Sequence, residues 1–221
     1  KVKVDDLPKP LGLTGPWGVR FPPKRGAPEK ASFDKLIAWD KHTDPGIRYF
    51  SGTAGYTIQF KLPDGFLKKD QEVWLDLGDL AVIAEVRLNK KNLGVLWHKP
   101  FQMEISKALR AGANTLEIDV TNLWINRLIG DEQHPADCKY NEKDMDWFTD
   151  RSLAAWPDWM TNGKPRPSPK RITFTTWKHY KANDPLSPSG LIGPVTLRPA
   201  RLLGDSPEND RGVTNNQTYN R

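Results

Sequence analysis

Between Asn122 and Pro135 the chain reads NLWINRLIGDEQHP, an apolar run that passes into Asp131, Glu132, Gln133 and His134. Two adjacent carboxylates, Arg127, Asn126 and Trp124 in one short stretch admit three chemistries. Two carboxyls about 5–10 Å apart across a glycosidic bond can hydrolyse it. A carboxylate beside an Asn or Arg can hold a vicinal diol, with a Trp ring offering an apolar face to the sugar. Or Arg127 and Asp131 can form an ion pair that ties a loop to a sheet. Hydrolysis is the least expected, because neighbouring residues of an extended chain point to opposite sides. Glu104, Glu117 and Asp119 fall on strand faces opposite the apolar ones and are expected to be solvated.

Other groups of the same character lie elsewhere. LWHKP supplies Trp97 and His98, and TTWKHYKANDP supplies Trp177, His179 and Tyr180. With Trp124, Asn126, Arg127, Asp131 and Glu132 they make up the candidate carbohydrate contacts. No catalytic residue is assigned. Nine Trp and nineteen Pro mark the composition, and wide Trp faces in loops suit sugars, although core packing is the ordinary fate of a Trp. His98, His134 and His179 match no metal-ligand spacing. DCKYNEKDMD carries oxygen donors without the spacing of a calcium loop. No cofactor is therefore expected, with calcium the one metal alternative and no ligand named. The single Cys138 excludes an internal disulfide and a Cys-rich zinc site. No histidine stands at a telling distance from it, so it reads as a half-buried thiol.

These groups need elements to position them. Tyr56, Ile58 and Phe60 alternate with Thr57, Gln59 and Lys61, which predicts a half-buried strand. Val73, Leu75 and Leu77 repeat the pattern against Trp74 and Asp76. Val86 and Leu88 lead into a turn at NKKN and a return through LGVLW, the signature of a β-hairpin. Phe101, Met103 and Ile105 predict another strand. Leu116, Ile118 and Val120 predict the next, extended towards Leu123 and Ile125. About six strands between Tyr56 and Ile125 predict an antiparallel sandwich or barrel rather than alternating strands and helices. Ser32–Trp39 is expected to form one or two helical turns with Ser32 as cap. SLAAWPDWM is expected to hold a short helix broken at Pro157, RITFTTW a strand with Ile172, Phe174 and Thr176 on one face, and SGLIGPVTLRPARLLG a final strand or pair.

The 221 residues suit one sizeable domain. The expected divisions are a Pro-rich lead-in over 1–30, a β-sandwich over 31–200 with a long irregular insertion at 130–170, and a polar tail over 201–221. A net charge of +6 raises nucleic acid as a partner. The basic residues are dispersed among acidic ones, with no basic block and no nucleic-acid motif, so none is expected. No apolar run approaches the roughly 20 residues of a membrane helix, and the chain opens KVKVDDLPKP without a signal segment. It reads as a processed form or a fragment. NQT at Asn216 is a formal glycosylation sequon of little weight.

VRLNKKNLGVLWHKPFQMEISKALRAGANTLEIDVTN resembles the jelly-roll sugar-binding domain of family 2 glycoside hydrolases. The matching positions are Asn89, Gly94, Pro100–Phe101, Gly112–Leu116 and Asn122, with SGLIGPVTL as the closing strand. Lys90 departs from the family, which places Gly there. GPWGVRFPP, YFSGTAGYTIQF, WLDLGDLAVIAEVRLN, LWINRLIGDEQHPADCKY, RITFTTWKHY and DPLSPSGLIGPVTL together look like the C-terminal β-sandwich of family 106 glycoside hydrolases, the large bacterial α-L-rhamnosidases. The resemblance covers residues 15–198. It implies a galactose-binding-like jelly roll from a secreted or periplasmic bacterial enzyme of polysaccharide degradation, whose catalytic carboxylates sit in a separate barrel domain. The expected function is non-catalytic: carbohydrate binding, or packing against the catalytic domain to complete its cleft. The rivals are a purely structural β-domain and an independent glycan hydrolase.

Overall fold

A computed structural model describes residues 7–69, 71–141 and 151–201. The strands are β1 Leu11–Gly12, β2 Trp17–Arg20, β3 Lys30–Phe33, β4 Thr53–Lys61, β5 Gln71–Asp76, β6 Asp79–Ala81, β7 Ile83–Leu88, β8 Lys91–Leu96, β9 Gln102–Glu104, β10 Ala113–Thr121, β11 Gly190–Gly193 and β12 Thr196–Arg201. Short helices α1 Pro45–Arg48, α2 Ile125–Asp131 and α3 Asp158–Thr161 lie between them. None of the described helices is long and apolar enough to cross a membrane.

Two antiparallel sheets enclose one core. The larger has the order β3-β2-β4-β10-β7-β8 and the smaller β1-β12-β5-β9. Alternation decides which side of each strand faces in: Tyr56 and Ile58, Leu116 and Ile118, Val86 and Leu88 meet Val73, Leu75 and Leu197 between the layers. The predicted mainly β sandwich is what forms. The short pair β6–β11 lies where the chain passes from one sheet to the other. There Gly78, at a φ of +64°, packs its Cα against the backbone of Gly193 so closely that no Cβ would fit.

The hairpin β7–β8 turns at Asn89 and Lys90, with φ of 53° and 69°. The Asn89 side chain holds the turn, accepting from Thr115 N at 3.0 Å and donating to Ala108 O and Asn114 Oδ1 at 2.8 Å. Lys90 has no such support and simply occupies a conformation that favours Gly.

Several expectations need correction. Lys30–Phe33 is a strand, paired with β2 through Phe33–Trp17 and Ser32–Gly18, and a single 3₁₀ turn follows only at Trp39–Lys41. The pull of Phe33 into the core outweighs the cap signal at Ser32. The Pro-rich stretch before residue 31 is built into the sandwich, since β1 joins the smaller sheet and β2 the larger, with Trp17, Val19 and Phe21 in the core. Asp76 is buried rather than outward, held by Arg198 at 2.7 Å and Gln102 at 3.0 Å. The strand ends at Thr121: Leu123 is exposed, and Ile125–Asp131 is helical. Residues 171–176 form no strand. The amides of Ile172 and Thr173 bond to a side chain instead of to a neighbouring strand, as described next. Asn216 and the tail beyond Arg201 lie outside the described residues, as does the second half of DCKYNEKDMD, residues 142–146.

Candidate functional site

Asn122 ends β10 and begins the site. Its amide donates to Phe50 O and accepts from Gly52 N, both at 2.9 Å. Ser51 Oγ donates to Leu123 O at 2.8 Å and accepts from Arg127 N at 3.1 Å. The chain is thereby sewn to the entry of β4 and released as helix α2.

Two polar side chains of α2, Asn126 and Asp131, then reach to different stretches of irregular chain. Asn126 accepts from Ser187 N and donates to Ser187 O, both at 2.8 Å, and to Ser189 Oγ at 3.2 Å. Asp131 takes Ile172 N at 3.1 Å, Thr173 N at 2.7 Å and the Thr173 hydroxyl. Arg127 Nη2 completes the set at 3.1 Å from Asp131 Oδ1. One turn of helix brings Arg127 and Asp131 to the same face. Beyond the helix, Gln133 Nε2 donates to Ala182 O at 2.6 Å. Gly130 has no room for a Cβ, which would meet Tyr49 and Arg127 at 2.5 Å.

Arg127 is 5% exposed and Asp131 2%. Burial pushes the Arg127 guanidinium below its usual range, and Asp131 pulls it back. Asn126, Arg127 and Asp131, all candidate sugar contacts, are therefore turned to internal partners, with only Arg127 Nε buried and unpartnered among their side-chain polar atoms. Asp131 is also unable to act as an acid or base on a substrate while four donors surround it.

Glu132 is different. Its Oε1 accepts from Arg171 Nη1 at 2.9 Å, and its Oε2 lies 3.9 Å from Lys178 Nζ. Arg171 also donates to Pro135 O at 2.9 Å and His134 O at 3.1 Å, so one buried guanidinium closes the loop after α2. Arg166 repeats the device nearby: it pairs with Asp137, donates to Thr173 O and lies 4.8 Å over the Trp159 ring. The sequence reading missed Arg166, Arg171 and Lys178. Their one visible signal is a cluster of cations in KPRPSPKR and TWKHY downstream of an acidic stretch.

Asp131, Glu132, His179 and Tyr180 come together in a cleft whose walls include Tyr140, Arg171 and Lys178. Its free volume is about 20 Å³, room for about one water and far below the roughly 300 Å³ at which ligand pockets begin. Cys138 lies beside it as a free, half-buried thiol whose pKa burial pushes up, with Tyr140 pulling the other way. Tyr140 is itself pushed up to about 12, first by burial and then by Cys138; its hydroxyl donates to Thr175 O at 3.0 Å. Among the described residues no group of His, Cys, Asp and Glu is placed to hold a metal.

The remaining candidates stand apart. Trp177 is half-buried and bridges to Ser152. Trp124, just before α2, is exposed. Trp97 and His98 follow β8, edge-to-face at 4.7 Å, and do not line the cleft.

Comparison with known proteins gives this geometry a context. Residues 38–174 match the family model described as glycosyl hydrolase 2 galactose-binding domain-like. A protein of Formosa agariphila, a beta-glucuronidase by provisional name, is 43% identical over 194 residues, which are 88% of this chain and 16% of that protein. The solved structure of a rhamnosidase from Novosphingobium sp. PP1Y superposes with a TM-score of 0.67 at 38% identity, over 86% of this chain and 15% of the other. The chain thus spans about a sixth of the length of the relatives it matches.

Proposed function

The chain belongs to the glycosyl hydrolase 2 galactose-binding-like domains, and on that premise we propose that it is a non-catalytic module of a larger glycoside hydrolase acting on rhamnose-containing plant polysaccharide. Similarity to a rhamnosidase over most of the chain supports the choice of sugar. The parent would be a bacterial enzyme, secreted or periplasmic, of the α-L-rhamnosidase type. The observation that carries the reading is a mismatch of scale: a polar rim of Glu132, Lys178, His179 and Tyr180 surrounds only about 20 Å³. Such a rim meets hydroxyls from one side. The rest of a sugar-sized cleft is then supplied by the catalytic domain that faces it.

In this mechanism Glu132 Oε2 accepts from a substrate hydroxyl while Arg171 fixes the carboxylate's orientation through Oε1. Lys178 donates at the margin, and His179 donates or accepts there. No bond is made or broken by this chain. The test is titration with rhamnosyl and pectic oligosaccharides, followed by Trp fluorescence. Weak saturable binding that falls several-fold in Glu132→Gln and His179→Ala supports the reading. If no sugar shifts the signal at millimolar concentration, the rim is structural. The inward engagement of Asn126, Arg127 and Asp131 favours that second reading, a purely interdomain β-module.

A further inference from the structure

Trp97 and its neighbours take no part in the cleft. In the larger sheet Ile83 pairs with Thr121 and the inward-facing Ala84 with Leu96, so Trp97, one residue past β8, follows on beside the outward-facing Ile83. Glu85 pairs with Val95. Trp97 is 66% exposed and Val95 52%. Leu123 and Trp124, two and three residues past the end of β10, are exposed as well. β8 is also the edge strand of its sheet, an open row of backbone groups of the kind that folded proteins cover or blunt.

The same face has a distinct charge. Arg87 Nη2 lies 2.8 Å from Asp119, its Nη1 3.9 Å from Glu85 and its Nε 4.0 Å from Glu117. One cation among three carboxylates leaves an anionic strip beside the apolar one, in a chain whose net charge is +6. A second copy of this chain would bring the same anionic strip to the contact and be repelled.

We propose that this end of the larger sheet docks the adjoining domain of a longer polypeptide, which meets Ile83, Val95, Trp97 and Trp124 with apolar side chains and the Glu85–Asp119 strip with Lys or Arg. The inference rests on the reading of the chain as a module of a larger enzyme, whose relatives carry about six times as much chain. An apolar centre with a charged rim is the ordinary anatomy of such contacts.

Hydroxyl-radical oxidation of the 221-residue chain and of the longer enzyme that carries it, read peptide by peptide, tests the proposal. Trp97 and Trp124 should oxidise at least five-fold more slowly in the longer enzyme, while Trp156, 61% exposed in the irregular region, should not change. Glu85→Lys with Asp119→Lys should restore oxidation of Trp97 there. The milder pair Glu85→Gln and Asp119→Asn should do so in part, if the reversal prevents folding. Equal rates in chain and enzyme would overturn the docking surface. So would protection of Trp97 and Trp124 in the chain alone by a rhamnosyl oligosaccharide, which would make the patch a sugar platform. Protection in the enzyme together with no sugar binding by the chain would leave docking intact and remove the carbohydrate reading.

Discussion

Between the two sheets, Val73, Leu75, Ile118 and Leu197 meet without polar groups, and even the aromatic cluster contains few. Trp39 stacks on Tyr56 and donates to its hydroxyl at 2.6 Å, and Leu191 N donates to the same oxygen at 3.3 Å. Among the described residues between Glu132 and Ser189 only the short helix α3 is regular, and polar arms do the holding: Asn126 at 187–189, Asp131 at 172–173, Arg171 at 134–135. The difference teaches where each region is vulnerable. Apolar packing is non-directional and tolerates exchanges of similar volume. A buried ion pair stabilises little in net terms, yet removing one partner leaves a charge stranded.

The sharpest way to break the comparison is therefore Asp131→Ala. It leaves Arg127 buried without its carboxylate and Thr173 without its acceptor, and should destabilise by about 3–5 kcal/mol in urea unfolding. Ile118→Val, in the core, should cost only about 0.5–1.5 kcal/mol. If the two changes cost the same, the irregular region is not held as described.

Tyr56→Phe comes next. It strands the Trp39 and Leu191 donors in the core and should cost about 1–3 kcal/mol, with an unchanged urea slope. Tyr140→Phe sharpens the contrast through pH. Its folded pKa of about 12 exceeds the ordinary 10, so the folded state favours the neutral phenol. That contribution is full below pH 10 and fades as pH rises towards 12. The stability of the native chain should fall over that window more steeply than that of Tyr140→Phe. Lys90→Gly is the smallest effect and has the opposite sign. Relief of a left-handed Lys should stabilise by about 0.5–1 kcal/mol, read as a rise in Tm.

The sandwich was legible in the sequence where alternation is long and one-sided. β4, β7 and β10 show it, and the turn between β7 and β8 is announced by Asn89. Helix α2 was hidden because three of its buried positions are polar, Asn126, Arg127 and Asp131, beside Ile129, so the helical period leaves only a faint hydrophobic trace. RITFTTW misled for the opposite reason. It alternates like a strand, but the amides of Ile172 and Thr173 are taken by the Asp131 carboxylate from 41 and 42 residues away in the chain. The candidate site divides along the same line. Glu132, His179 and Tyr180 do converge, while the pairing of Arg171 with Glu132 spans 39 residues, and no local pattern reports such a distance.

The entry of the chain has a mechanical meaning. Leu11 is laddered to Leu197 in one sheet, and six residues later Trp17 is laddered to Phe33 in the other. A pull arriving at residue 11 must undo the first ladder and then the second before Trp17 can leave the core. The entry of the chain is thus a double latch, and peeling it would open the smaller sheet before the larger.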